Sequence, residues 1–259
     1  MLIDTHCHLD FPDFDTDRDA VIERALEAGV GAIIVPSVTV DNVQRVLDLC
    51  AASSRFYPAL GLHPCFSHDP ESALTALEQA LQAHRQEVVA VGEIGLDFRS
   101  GQPDVRQQES LLVAQLQLAK AHDLPVLLHA VRSHDAVLKQ LRRAELPRAG
   151  IVHAFSGSEQ QAREYARLGF KLGFGGACTH DRARKLQRLA TELPLEWLVL
   201  ETDAPDMPLQ GHQGERNEPG QVAVVAAHLA ALRGISLEEL LTRTCANAAQ
   251  VLGLDPGQS

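Results

Sequence analysis

Positive charge is scarce in this chain of 259 residues, where 23 lysines and arginines face 34 aspartates and glutamates for a formal net charge of -11. A polyanion gains no general attraction from such a protein, because nonspecific phosphate binding leans on clustered Lys and Arg, and no basic stripe is present. Any anionic substrate must be gripped locally. Long apolar runs are also missing. The longest, "VAVVAAHLAAL", falls far short of the ~20 residues of a membrane span. The start "MLIDTHCHLD" has no basic segment followed by an apolar one, so the expectation is no signal peptide, no membrane and a cytoplasmic location. The five cysteines (Cys7, Cys50, Cys65, Cys178, Cys245) form no CxxC pair and are odd in number, which argues against a disulfide framework or a zinc ribbon and favours buried thiols. No Pro/Gly/Ser linker or repeat divides the chain, and no obligate protein partner is evident, so residues 1–259 are expected to form a single domain.

What is present is alternation. Short apolar runs rich in β-branched residues ("LIDT", "AIIVPS", "YPALG", "VVAVGE", "PVLLHA", "GIVHAF", "FKLGF", "WLVLET") alternate with segments of helical period. The helical stripes include Val43, Val46, Leu47 and Cys50, then Leu74, Leu77 and Leu81, then Leu186, Leu189, Ala190 and Leu193. Capping boxes are expected at Ser158 ("SEQQ") and Ser236 ("SLEE"), and two helices, about 219–233 and 236–252, follow the last strand. Eight strand-then-helix units predict an α/β fold closed as a (β/α)8 TIM barrel, since repeated right-handed crossovers either close or spread as a doubly wound sheet. A dinucleotide-binding sheet would want GxGxxG after the first strand, and none is there.

Catalytic groups of a barrel lie at the C-terminal ends of its strands. Those ends carry His6 and His8, His63, Glu93, His129, His153 and Asp203. In an extended strand residues i and i+2 point the same way, which predicts that His6 and His8 share a face opposite Cys7 and that Glu201 aligns with Asp203. Singly, each such histidine reads as a hydrogen-bonded structural residue and each carboxylate as a turn or cap group. Together they would be costly to bury unneutralised, and a divalent cation removes that cost. His68, His84, His122, His134, His180, His212 and His228 fall on helices or loops and keep the structural reading. "DFDTDRD" (13–19) lacks the glycine and closing glutamate of a calcium loop and reads as an exposed acidic helix start.

"IDTHCHLD", "GLHP", "VGEIGLDF", "PVLLHA", "HAFSG" and "LETDAP" occur in this order, and together the series resembles the TatD family of metal-dependent deoxyribonucleases over almost the whole chain. The resemblance implies a TIM-barrel hydrolase with one to three divalent ions on His6, His8, Glu93, His129, His153 and Asp203, with His63 and Glu201 lining the site. The strand 5 loop "HAVRSHD" departs from the family's usual HSRDA, which bears on how substrate is gripped.

Imidazole with carboxylate suits Zn²⁺ or Mn²⁺ better than a site serving Mg²⁺ alone, though any of the three is compatible with the expectation of two ions per subunit. Glu93 is the expected bridge, with His6, His8 and Asp203 on one ion and His129 and His153 on the other. Glu93, Asp203 and His63 form the expected catalytic group, Asp203 taking a proton from water and His63 contacting a phosphate or leaving oxygen. Arg132, with Arg99 or Arg216, is expected to add positive charge at the mouth, and Glu201 to orient a ligand. The expected activity is 3'-5' exonuclease-like hydrolysis of DNA or a short oligonucleotide. The alternatives are amidohydrolase-type opening of a cyclic amide or lactone or deamination of a nucleobase, and, more distantly, a non-catalytic metal-binding protein. Against the first stands Glu93 at the end of strand 4, where binuclear amidohydrolases commonly carry a carboxylated lysine.

Overall fold

Each apolar run becomes a strand, and the eight strands pair in parallel in chain order. The computed structural model describes residues 2–254. The strands are β1 (Leu2–Asp4), β2 (Val30–Pro36), β3 (Phe56–Leu60), β4 (Ala90–Asp97), β5 (Val126–Val131), β6 (Gly150–Val152), β7 (Lys171–Phe174) and β8 (Leu198–Leu200). Helices α1 (Arg18–Glu27), α2 (Val40–Ala51), α3 (Pro70–Ala83), α4 (Val105–Ala121), α5 (His134–Ala144), α6 (Glu159–Arg167) and α7 (Arg184–Glu192) separate them, and α8 (Val222–Arg233) and α9 (Leu237–Leu252) follow β8. The expected (β/α)8 barrel is the fold.

The seam between β8 and β1 is drawn together by backbone bonds from Thr5 N to Leu200 O (3.0 Å), Asp203 N to His6 O (2.9 Å) and His8 N to Ala204 O (2.8 Å). Asp4 adds a side-chain clasp, accepting from Thr202 N at 3.0 Å and Thr202 Oγ1 at 2.6 Å. Burial pushes this carboxyl up to about 8, against those hydrogen bonds.

Side-chain alternation sorts the core into two layers. Ile3, Ala59, Leu127, Ile151 and Val199 pack inside the barrel with Val251 and Leu252 of α9. Their strand neighbours face outward against the helices. The inward parity continues upward, so Leu127 leads to His129, Ile151 to His153 and Val199 to Glu201. An apolar floor therefore underlies the polar groups at the strand ends.

The stripe Val43, Val46, Leu47 and Cys50 is the buried face of α2. Ser158 forms its reciprocal capping box with Gln161, and Ser236 accepts from Glu239 N. A further box, Thr39 with Asn42, opens α2. The acidic segment 13–19 is the exposed helix start expected of it, running into α1 at Arg18, and its carboxylates are paired with arginines. Asp17 holds Arg216 through two bonds of 2.8 and 2.7 Å, and Asp15 is clasped by Arg18 and Arg45. Among the described residues no single helix is long and apolar enough to cross a membrane.

Candidate metal centre

β1 ends at Asp4, so His6 and His8 lie just beyond it, yet both turn to the same carboxylate while Cys7 is buried away from it. That carboxylate is Glu93, whose side chain is only 2% exposed. Its two oxygens divide the histidines. Oε2 faces His6 Nε2 at 3.1 Å and His8 Nε2 at 3.5 Å, whereas Oε1 faces His129 Nδ1 at 3.0 Å, His153 Nε2 at 3.1 Å and His63 Nε2 at 3.4 Å. Asp203 Oδ1 stands 3.7 Å from both His6 and His8.

All of these groups except His6, which is fully buried, line one pocket of about 680 Å³, a volume suited to a small ligand or one end of a larger one. Donor atoms of His6, His8 and Asp203 lie within 4.8 Å of one another, as do those of His6, Glu93 and His153, and of His63, Cys65 and His129. So many donors with so little solvent need a cation to balance them, and the mix of imidazole and carboxylate fits a borderline divalent ion.

The titration of the metal-free centre follows from burial and from these contacts. Burial opposes ionisation of Glu93, but His63, His153 and His6 outweigh it and hold its carboxyl well below the usual range. Burial also disfavours a charged His129, yet Asp97, Cys65 and Glu93 push it up to about 10. For His6 burial wins, and His153 adds to it, giving about 3. Asp203 is raised by burial, with His153 and His8 pulling the other way, to about 6.

The carboxylates after β8 depart from the alternation expected of them. Asp203 has φ 57°, in the left-handed region, so Glu201 and Asp203 do not share a face. Asp203 lines the pocket. Glu201 does not; it lies behind, 3.6 Å from His153 Nδ1, accepting from Ala154 N at 2.5 Å. It stands behind His153 and not on the pocket wall where the resemblance would put it. Room for it exists because residue 173 is glycine: a Cβ there would meet Glu201 Oε2 at 2.1 Å.

His63 lines the pocket, and its Nδ1 accepts from Cys65 N at 3.1 Å, so the neutral ring carries its proton on Nε2. Of the three arginines expected at the mouth, Arg99 lines the pocket but is tied to Asp97, with Nε at 2.9 Å from either carboxylate oxygen. Arg216 is turned away to Asp17 and Glu218 and lies over the Phe14 ring. Arg132 lies outside the pocket, in an adjoining groove.

Sequence reasoning passed over Asp97 and Cys65. Asp97 Oδ2 meets His129 Nε2 at 3.0 Å and accepts from Cys65 Sγ at 3.3 Å. A signal existed, since Asp97 closes the quoted "VGEIGLD" an even number of residues after Glu93. Phe66 was passed over too. It is 43% exposed at the pocket rim and stands edge-on to His63.

A family model described as TatD related DNase matches residues 3–253. The uncharacterized metal-dependent hydrolase YjjV of Escherichia coli K12 is 50% identical over 239 residues, 92% of this chain and 92% of that protein. Deoxyribonuclease TATDN3 of Homo sapiens is 32% identical over 262 residues, covering 96% of this chain and 94% of its own. The crystal structure of the E. coli YjjV protein, a TatD homolog, superposes with a TM-score of 0.94 at 47% identity over 98% of each chain.

Proposed function

The chain belongs to the TatD family of metal-dependent hydrolases, and from that premise we propose that it hydrolyses phosphodiester bonds of DNA or short oligonucleotides, working from a single-stranded end. The observation that carries the reading is the division of histidines between the two oxygens of Glu93. Glu93 would bridge two cations, His6, His8 and Asp203 holding one and His129 and His153 the other. When bound, the cations supply positive charge that polarises the phosphoryl group and acidifies water.

The remaining work belongs to side chains. Asp203 lies on the pocket side of the centre with its side chain 15% exposed, where it can accept the proton of the attacking water. His63 donates from Nε2 to a phosphate oxygen or to the departing one, because Cys65 N fixes its other nitrogen as an acceptor. Glu201 and Asp97 orient His153 and His129 from behind. Phe66, an exposed ring at the rim, offers a stacking face to a base. The pocket sits over the apolar interior of the barrel, a floor that favours an end over the middle of a duplex.

Reconstitution tests this. Metal-stripped protein is reloaded separately with Zn²⁺, Mn²⁺ and Mg²⁺ and offered end-labelled single- and double-stranded DNA, closed circular duplex, and a panel of cyclic amides and lactones. Metal-dependent product ladders from single-stranded ends support the proposal. Turnover of a cyclic amide or lactone without DNA cleavage, or efficient cutting of the closed circle, contradicts it.

A further inference from the structure

The groove beside the metal pocket carries positive charge that the centre does not use. It has a volume of about 580 Å³, is lined by Arg132, Ser133, His134, Gly157 and Lys185 among others, and meets the main pocket at Ser156, which lines both. Arg132 follows β5 with φ 56°, where the chain turns sharply into α5. Among the described residues its guanidinium has no hydrogen bond or ion pair, in contrast to Arg99 and Arg216. Among the described residues Lys185, in the first turn of α7, is engaged only by the neutral Ser156 carbonyl at 3.1 Å.

The start of α5 is open as well. Its N-cap Ser133 donates its hydroxyl to Leu96 O at 2.7 Å, so the first-turn N–H groups lack a side-chain cap, and such an end favours an anion. One carboxylate also lines the groove, that of Asp135, and Gln161 Nε2 donates to it at 2.8 Å. His134 supplies an independent sign. It lines the same groove, is only 7% exposed, and leaves Nε2 without a partner among the described residues. A buried polar atom of that kind is costly unless something completes it.

We propose that this groove is a second phosphate subsite, holding the phosphodiester next along a single strand whose end lies in the metal pocket. The strand leaves the pocket past Ser156 and sets its next phosphate between Arg132 and Lys185, over the open end of α5. This rests on the phosphodiesterase reading and assigns where a protein of net charge -11 holds a polyanion.

Two substrates separate the subsite from the centre. Bis(p-nitrophenyl) phosphate has a single phosphate and cannot reach the groove, whereas a fluorescent thymidine tetranucleotide can. Lys185→Ala is expected to raise KM for the tetranucleotide by about tenfold while hydrolysis of bis(p-nitrophenyl) phosphate stays within twofold. Binding of the tetranucleotide, followed by anisotropy in a Glu93→Gln background, should weaken similarly. Its log-log salt slope should become shallower by about 0.7, the contribution of one single-strand phosphate contact. Lys185→Glu should deepen the loss, and Arg132→Ala should weaken tetranucleotide binding in the same direction. Equal effects on both substrates, or no effect on the tetranucleotide, would overturn the subsite. If neither substrate is cut but the tetranucleotide still binds with a Lys185-dependent slope, the phosphodiesterase reading fails and the anion groove stands.

Discussion

His129 is held by a carboxylate at each ring nitrogen, Glu93 Oε1 lying 3.0 Å from Nδ1 and Asp97 Oδ2 3.0 Å from Nε2. With a carboxylate facing each nitrogen the metal-free ring is a doubly donating imidazolium held in one orientation; with a cation on Nδ1, Asp97 would keep the remaining proton on Nε2 and make Nδ1 a better donor to the cation. Asp97→Asn is expected to weaken divalent-metal affinity by about 10- to 100-fold with little change in far-UV circular dichroism. Competition with a chelating dye measures it. Unchanged affinity would make Asp97 a mere anchor for Arg99.

Gly173 and Glu201 form a second such pair, in which the absence of a side chain is the feature that matters. Gly173→Ala would bring a Cβ to 2.1 Å from Glu201 Oε2, so the carboxylate must move away from His153. A loss of about 1 to 3 kcal/mol in denaturant unfolding is expected, in the range of overpacked cores. Combining it with Glu201→Ala should be non-additive, the double variant losing less than the sum of the singles. Simple additivity would show that the two positions do not collide.

His134 predicts a pH dependence of stability. Burial, with Lys185 adding to it, lowers its imidazole to about 4. Between that value and the ordinary histidine value of ~6.5 the unfolded chain binds the proton and the folded chain does not, so stability rises with pH across this window. The contribution is complete above ~6.5 and is lost as pH falls toward 4, up to about 3 kcal/mol. His134→Phe, which leaves Tyr165 its bond to the backbone carbonyl of residue 134, should flatten this part of the curve. Chemical denaturation of metal-free protein from pH 4 to pH 7 checks it, and an unaltered slope would contradict the assignment.

The barrel and the inward histidines were legible because both depend on local pattern. Strand-end position and even spacing place His129 above Leu127 and His153 above Ile151. What failed needed contacts far apart in sequence or backbone outside the regular regions. Arg216 is paired with Asp17 across 199 positions, and nothing near either residue announces the partner. The left-handed turn at Asp203 breaks the alternation that would have aligned it with Glu201. Arg132 itself takes such a left-handed conformation, and it lies in a groove beside the pocket it was expected to line. Asp97 was within reach of the same parity reasoning that found Glu93, but it does not line the pocket and meets it through His129.

The central claim is that Glu93 bridges two cations and that the reaction depends on this bridge. Its most direct test measures metal content by elemental analysis and cleavage of an end-labelled single strand, side by side, in wild-type and Glu93→Gln protein reloaded under identical conditions. The substitution keeps the shape and removes the charge shared by the two sets of histidines. The account predicts that Glu93→Gln retains its circular dichroism spectrum, binds at least one ion fewer, and cuts about a thousandfold more slowly, equal to about 4 kcal/mol of lost transition-state stabilisation. Full metal content with near wild-type cleavage in Glu93→Gln would contradict it.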